Sequence, residues 1–206
     1  MNGYIQTIAL IEVSLSCAAL IILLLQKLSP KAVPFIVKVA LAIILANVFF
    51  WPLGLSLELP LAAYIRGITG DFSIITLLLL WGSLMPKSKP VPLGFKFAIA
   101  IIAIIFYPFA LGVGMTDPYA WGYGSIAFLI AVILLAVICG LGNWNRGVWM
   151  IAIAIIAWSA HWHESANLWD YLLDPFIAIW AVSTSLGVLY RKRKDKARSG
   201  YLFRPG

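Results

Sequence analysis

Seven apolar runs divide this chain, and the charges between them are sorted by sign. Runs of this kind have few ways to fold. A segment of about 20 apolar residues matches the hydrocarbon thickness of a bilayer at 1.5 Å per helical residue. The runs are Tyr4–Gln26, Phe35–Leu55, the short Asp71–Met85, Leu93–Met115, Trp121–Leu141, Gly147 to about His161, and a last one ending at Tyr190. A connection over 56–70 carries Glu58, Arg66, Gly67 and Gly70, and its 57–65 part is apolar enough to lie in the interface or re-enter.

Alternate connections hold nearly all the cations. Lys27, Lys31 and Lys38 follow the first run, Lys87, Lys89 and Lys96 the third, and Arg146 the fifth; seven more close the chain from Arg191 to Arg204. The other connections hold only Arg66. Lys and Arg in short loops mark the cytoplasmic side. The expected fold is therefore all-α: a polytopic transmembrane helix bundle of about seven spans, N-terminus outside and C-terminus cytoplasmic. Residues 1–190 form the single bundle and 191–206 a basic cytoplasmic tail. The expected location is the cell membrane, multi-pass, as in a bacterial inner membrane.

Composition agrees. Charged residues make up 11% of the chain and hydrophobic ones 63%, with mean hydropathy +0.97. A soluble domain has about 25% charged residues, so lipid is the expected solvent. The net charge of +7 is read as topology rather than as a nucleic-acid footprint, because it flanks the runs. The first run lacks the basic leader of a cleavable signal. Tryptophans fall at run ends: Trp51, Trp121, Trp158, Trp162 and Trp169 toward one interface, Trp144 and Trp149 toward the other. Indoles favour headgroup depth.

The acids gather on the outer side. Glu58, Asp71, Asp117, Glu164, Asp170 and Asp174 all fall there with His161 and His163, and Asp195 is the inner exception. Orientation does not require this of acids, so an outward-facing polar pocket is one explanation and simple tolerance the other. His161-Trp162-His163-Glu164 is the densest cluster. If the sixth helix ends near Ala160, both imidazoles can turn toward one divalent metal, since zinc and copper accept imidazole. Interfacial histidines bonded to water are the plainer reading. His163, Asn167, Asp170 and Asp174 also share the spacing of one helical stripe, although Pro175 argues against an unbroken helix and capping explains part of the pattern.

Glu12 is the acid inside a clear run, with Ser16 one turn away and Asn47 in the next run. A carboxylate there costs on the order of 3 kcal/mol on insertion scales, so it is expected to be paired, neutral or facing a wet cavity. Gly67–Ser73 reads as a helix start capped by Asp71, with Ser73 nearby and Arg66 paired to Asp71; the alternative is an anion held by the free N–H groups at that start. Asp117-Pro118 reads as a turn.

Several chemistries are missing. There is no GxSxG, HExxH or P-loop, and no lysine in the last run for a Schiff base. Cys17 and Cys139 lie in different runs, so no disulfide is expected. Three function classes remain. One is a membrane-embedded enzyme acting on a lipid or lipid-linked group at the outer leaflet, with His163, Asp170, Asp174, Asp71 and Glu164 as catalytic candidates, His161 and His163 as metal candidates, and Glu12, Asn47 and Arg66 in support. The second is a non-catalytic subunit or scaffold of a cell-envelope complex, partnered by another membrane protein. The third is an ion-coupled transporter using Glu12. The gathered outer groups favour the enzyme. Expected partners are the bilayer and a lipid or lipid-linked substrate, not nucleic acid.

Overall fold

The structure is a computed structural model that describes residues 3–54, 58–86 and 90–202, with backbone alone for 197–202. Lys87, Lys89 and Arg204, the side chain of Arg198 and the end of the second run at Leu55 lie outside the described residues. The chain is all-α, 76% helical, and has no β-strand among the described residues. The helices are α1 (Gly3–Leu28), α2 (Phe35–Phe50), α3 (Leu61–Thr69), α4 (Ile74–Ser83), α5 (Leu93–Ala110), α6 (Ile126–Leu141), α7 (Asn145–Ser159), α8 (Leu168–Leu172) and α9 (Pro175–Leu202), with a 3-10 turn over Pro118–Gly122.

Local chemistry sets these boundaries. Pro34, Pro60 and Pro92 stand just before α2, α3 and α5 with extended ψ, and a proline's fixed φ suits a helix entry. Ser73 Oγ caps α4 by accepting from Thr76 N–H, and Ser125 Oγ caps α6 by accepting from Phe128 N–H. Three helices close with paired reverse hydrogen bonds. After α5, Gly112 N–H donates to Phe109 O and Val113 N–H to Pro108 O. Asn143 and Trp144 repeat this after α6, and His161 and Trp162 after α7. The turning residue is left-handed each time: Gly112 φ 92°, Asn143 φ 54° and His161 φ 50°. This is the Schellman closure, which satisfies the last helical carbonyls.

Two helices, α1 with 26 residues and α5 with 18, are long and apolar enough to cross a membrane; α2, α4, α6 and α7 are apolar but shorter. The third run, expected to be short over Asp71–Met85, forms α4 over 10 residues, capped by Ser73 after the turn at Gly70, φ 72°. At 1.5 Å per residue α4 rises about 15 Å, half of a hydrocarbon core of about 30 Å. Helix α9 continues unbroken past Tyr190 through Arg191–Lys196.

The chain divides into two compact units. The first contains α1–α4, the turn from Tyr119, and α6–α8. Its α1 packs on α2, α3 and α4, while α4 meets α7 and α8. Small residues line these contacts: Ala9, Ala18 and Ala19 of α1, Ala62 of α3, Ala154 and Ala157 of α7. They allow close backbone approach. The second unit pairs α5 with α9 through Ile99, Ala100, Ala103, Ile177, Ala178 and Ala181. There Lys96 Nζ lies 5.5 Å from the centre of the Trp180 ring, a cation–π contact that gives an ammonium a partner among apolar helices.

Candidate functional site

The turn after α7 builds the site. His161 takes the left-handed position and is exposed. The chain then reverses, and Trp162 and His163 reach α1. Trp162 Nε1–H donates to Glu12 Oε1 at 2.7 Å. His163 Nε2 lies 3.1 Å from Glu12 Oε2. Glu12 is 8% exposed and His163 2%, so the carboxylate in α1 meets the imidazole away from solvent, while its bond to Trp162 is part-buried.

Tyr171 of α8 completes this core. Its ring stacks on the His163 imidazole at 4.7 Å and 14°. Its hydroxyl accepts from His163 N–H at 3.0 Å and donates to Ser165 O at 3.0 Å. Burial, more than any neighbour, raises the Tyr171 pKa above the ordinary tyrosine value. The hydroxyl thus stays a neutral donor. His163 Nδ1 is buried and has no hydrogen-bond partner among the described residues.

A second cluster adjoins in sequence. Arg66, in the last turn of α3, grips Asp71 with Nε and Nη2, the latter at 2.9 Å. Nη2 also lies 3.2 Å from Glu164 Oε1. The break at Gly70 lets Asp71 fold back onto a residue five positions earlier. The hydrogen bond to Asp71 raises the Arg66 pKa further, so the guanidinium is a fixed cation between two carboxylates. The expected pairing of Arg66 with Asp71 is present, and Ser73 rather than Asp71 supplies the α4 cap.

The helical stripe proposed for 163–174 does not form. Only Leu168–Leu172 is helical, and its polar residues diverge. Asn167 Oδ1 caps α8 by accepting from Trp169 N–H, while its Nδ2 donates to Tyr119 O. Asp170 Oδ2 accepts from Tyr119 Oη at 2.9 Å and from Ser165 Oγ. Asp174 Oδ2 accepts from Ser73 N–H at 2.7 Å. Pro175, which cannot extend α8, explains the break.

The sequence-derived candidates therefore separate into groups. Glu12 and His163 form one pair, and Arg66, Asp71 and Glu164 another. Asp170 and Asp174 go to distinct partners. Tyr171 joins the first pair to the segment that holds Asp170, through Ser165. Asn47 lies elsewhere: it bonds Ile43 O and accepts from Trp51 Nε1–H, beside a groove of about 210 Å³ lined by Ile11, Ser14, Leu15, Ala46 and Phe50. Ser16, expected to share the Glu12 face, accepts from Trp81 Nε1–H instead. His161 is exposed where His163 is buried, and among the described residues no three His, Cys, Asp or Glu side chains converge as a metal site would require.

Sequence reasoning missed Tyr171, Ser165 and Tyr119 altogether, and it treated Trp162 as an interfacial anchor only. No spacing rule marks a tyrosine that will stack on an imidazole eight residues back. The chemistry available is a buried carboxylate–imidazole pair with one ring nitrogen uncommitted, next to an arginine held by two acids. The carboxylate fixes the ring orientation, and imidazole can carry a proton in either direction.

No protein-family model matches the chain, and neither a curated protein nor a solved structure matches it. The class defined by fold and site is an all-α protein with two membrane-length apolar helices and a polar site built on α1, α3, α8 and the turns beside them.

Proposed function

We propose that this chain is a multi-pass integral membrane protein of a bacterial inner membrane, seven spans with the N-terminus outside. Its outward side carries an acid/base site acting on a lipid or lipid-linked group at the outer leaflet. Segments that the charge map assigns to one side supply the site: the first half of α1, the α3–α4 connection, the turn before α6, and residues 161–174. Their mutual hydrogen bonds support a common side. The exposed apolar surface of α2, where Ile36 is 80% accessible and no residue is buried, supports lipid as its surroundings.

The observation that carries the enzymatic reading is the pairing of Glu12 with His163. An intramembrane acid is expensive, and here it orients an imidazole. The test uses cells lacking the gene, complemented with the wild-type protein or His163→Ala at matched membrane levels. Extracted lipids are compared by mass spectrometry. The expected result is a lipid or lipid-linked species that changes in the null and is restored by wild type alone. Restoration by His163→Ala, or no change in the null, removes the enzymatic reading.

One observation favours the scaffold reading. Asp174 and Asn167 spend their side chains on backbone groups of Ser73, Trp169 and Tyr119, which is structural work. That reading predicts loss of a partner membrane protein in the null and its recovery with His163→Ala.

A further inference from the structure

We infer that Nδ1 of His163 is the atom at which this site exchanges a proton, and that its ligand is an O–H donor, with Glu12 as the positioning residue. This deepens the acid/base reading above and rests on it. The first step concerns Glu12. The Trp162 indole can only donate, and it donates to Oε1, so the carboxyl group already acts as an acceptor. The same role at Oε2 calls for N–H on Nε2 of His163, 3.1 Å away. That nitrogen is then committed, and a carboxylate holding one imidazole N–H sets which nitrogen stays available.

The second step concerns Nδ1. It is buried and lacks a partner among the described residues, although a buried polar atom left unpaired costs about 1–3 kcal/mol. Such an orphan is a ready receiver for a donor brought from outside. The ring is held from each side. Glu12 faces it from α1, and Tyr171 stacks on it from α8. Glu164 follows in the chain, tied to Arg66 of α3, which also holds Asp71. Of these, Tyr171 keeps its proton for the Ser165 carbonyl, and Arg66 pairs with the two outer acids and offsets one of their two charges. Glu12 remains as the counter-charge for an imidazolium. In the proton step the ligand O–H bond breaks and an Nδ1–H bond forms. The electron pair stays on the ligand oxygen, and the new cation lies against the Glu12 carboxylate. Because Nδ1 has no solvent contact, the donor enters by displacing a neighbouring side chain. Trp162, 43% exposed over Glu12, stands at that boundary.

The chain has two histidines, which makes the test direct. Protein labelled with 15N-histidine is placed in nanodiscs, and His161→Gln leaves the single ring of His163. Two-bond couplings between ring nitrogens and carbons-bound protons identify which nitrogen is protonated across a pH series. The expected pattern keeps Nε2 protonated throughout and moves the Nδ1 resonance upfield as it gains its proton. Glu12→Gln is expected to lose the single tautomer for a mixture, and Glu12→Asp to restore it in part. A structural role for Glu12 would leave the tautomer unchanged. Two lipids then identify the donor. Phosphatidylglycerol offers headgroup hydroxyls and phosphatidylcholine none, so a hydrogen-bonded Nδ1 in the first alone assigns a lipid hydroxyl, and in both assigns water. An unbonded Nδ1 in both lipids, or a ring that keeps Nδ1–H while Nε2 is bare, overturns the inference. Lipid profiles of His163→Ala cells report on the enzymatic reading separately, so each can fail alone.

Discussion

Asp174 Oδ2 accepts the backbone N–H of Ser73 at 2.7 Å, 101 residues away in sequence. The bond joins the start of α4 to the residue that precedes α9. Ser73 N–H is one of the donors that a helix start leaves without an intrahelical partner, and Asp174 is 5% exposed. Asp174→Ala strands that donor in a buried setting. The expected cost is about 1–3 kcal/mol, read as a lower thermal midpoint in detergent. Asp174→Asn, which keeps an acceptor oxygen, should lose less. Equal losses would show that charge, not the hydrogen bond, matters at this position.

Gly122 leaves room for Asn167. A Cβ added at Gly122 would stand 1.6 Å from Asn167 Oδ1, and Asn167 is fully buried. Overpacking of this kind costs about 1–3 kcal/mol. Gly122→Ala is expected to lower the thermal midpoint and release the α8 cap, whereas Gly94→Ala, with nothing near its Cβ, should not. A neutral Gly122→Ala would mean that the α8 segment moves freely.

Gly82 plays the same part for Arg146. A Cβ there would lie 2.2 Å from Arg146 Nη2, which donates to Leu78 O at 3.2 Å. The side chain is long enough to move aside, so the loss should be that of its carbonyl bonds, about 1 kcal/mol. The cost of Gly82→Ala should shrink in an Arg146→Ala background, because the two changes share a partner. Additive costs would count against the contact.

Tyr119 should titrate late. Burial first, and then its hydrogen bond to Asp170, raise its pKa above the ordinary tyrosine value. A group with a raised folded pKa contributes stability that is fully present below its unfolded pKa, about 10, and is lost as pH rises through the folded value. Tyr119→Phe is therefore expected to destabilise the protein at neutral pH and to converge with wild type under strong alkali. Parallel pH curves for the two proteins would refute the assignment.

The charge map makes a topological prediction. A reporter fused at the C-terminus should be cytoplasmic, and one inserted between Glu164 and Ser165 should be accessible from outside. A C-terminal reporter that proved extracytoplasmic would reverse the orientation and move the Glu12–His163 site to the other face.

Much of the helical framework was legible because its signals are local. Apolar runs, prolines before α2 and α5 and the turn at Asn143 after α6 are read within a turn or two of chain, whereas the fifth run, set at Trp121, overran the Ser125 cap at which α6 begins. The end of α7 near Ala160 was legible for the same reason. The short third run was legible too, because the turn at Gly70 and the cap at Ser73 act within a few residues of the helix they open. The stripe through 163–174 misled because helical spacing means nothing where the backbone is not helical, and Pro175 and the Asn167 cap confine α8 to five residues.

Sequence alone determined where this chain is apolar, where it is charged, and which stretches become helices, since each depends on neighbours a few residues away. Tertiary structure alone decided that Glu12 meets His163 across 151 residues, that Tyr171 stacks on the same ring, and that Glu164 joins the Arg66–Asp71 pair. Partner choice of that kind follows from how helices pack and how far a side chain reaches, and a linear pattern of residue types does not encode it.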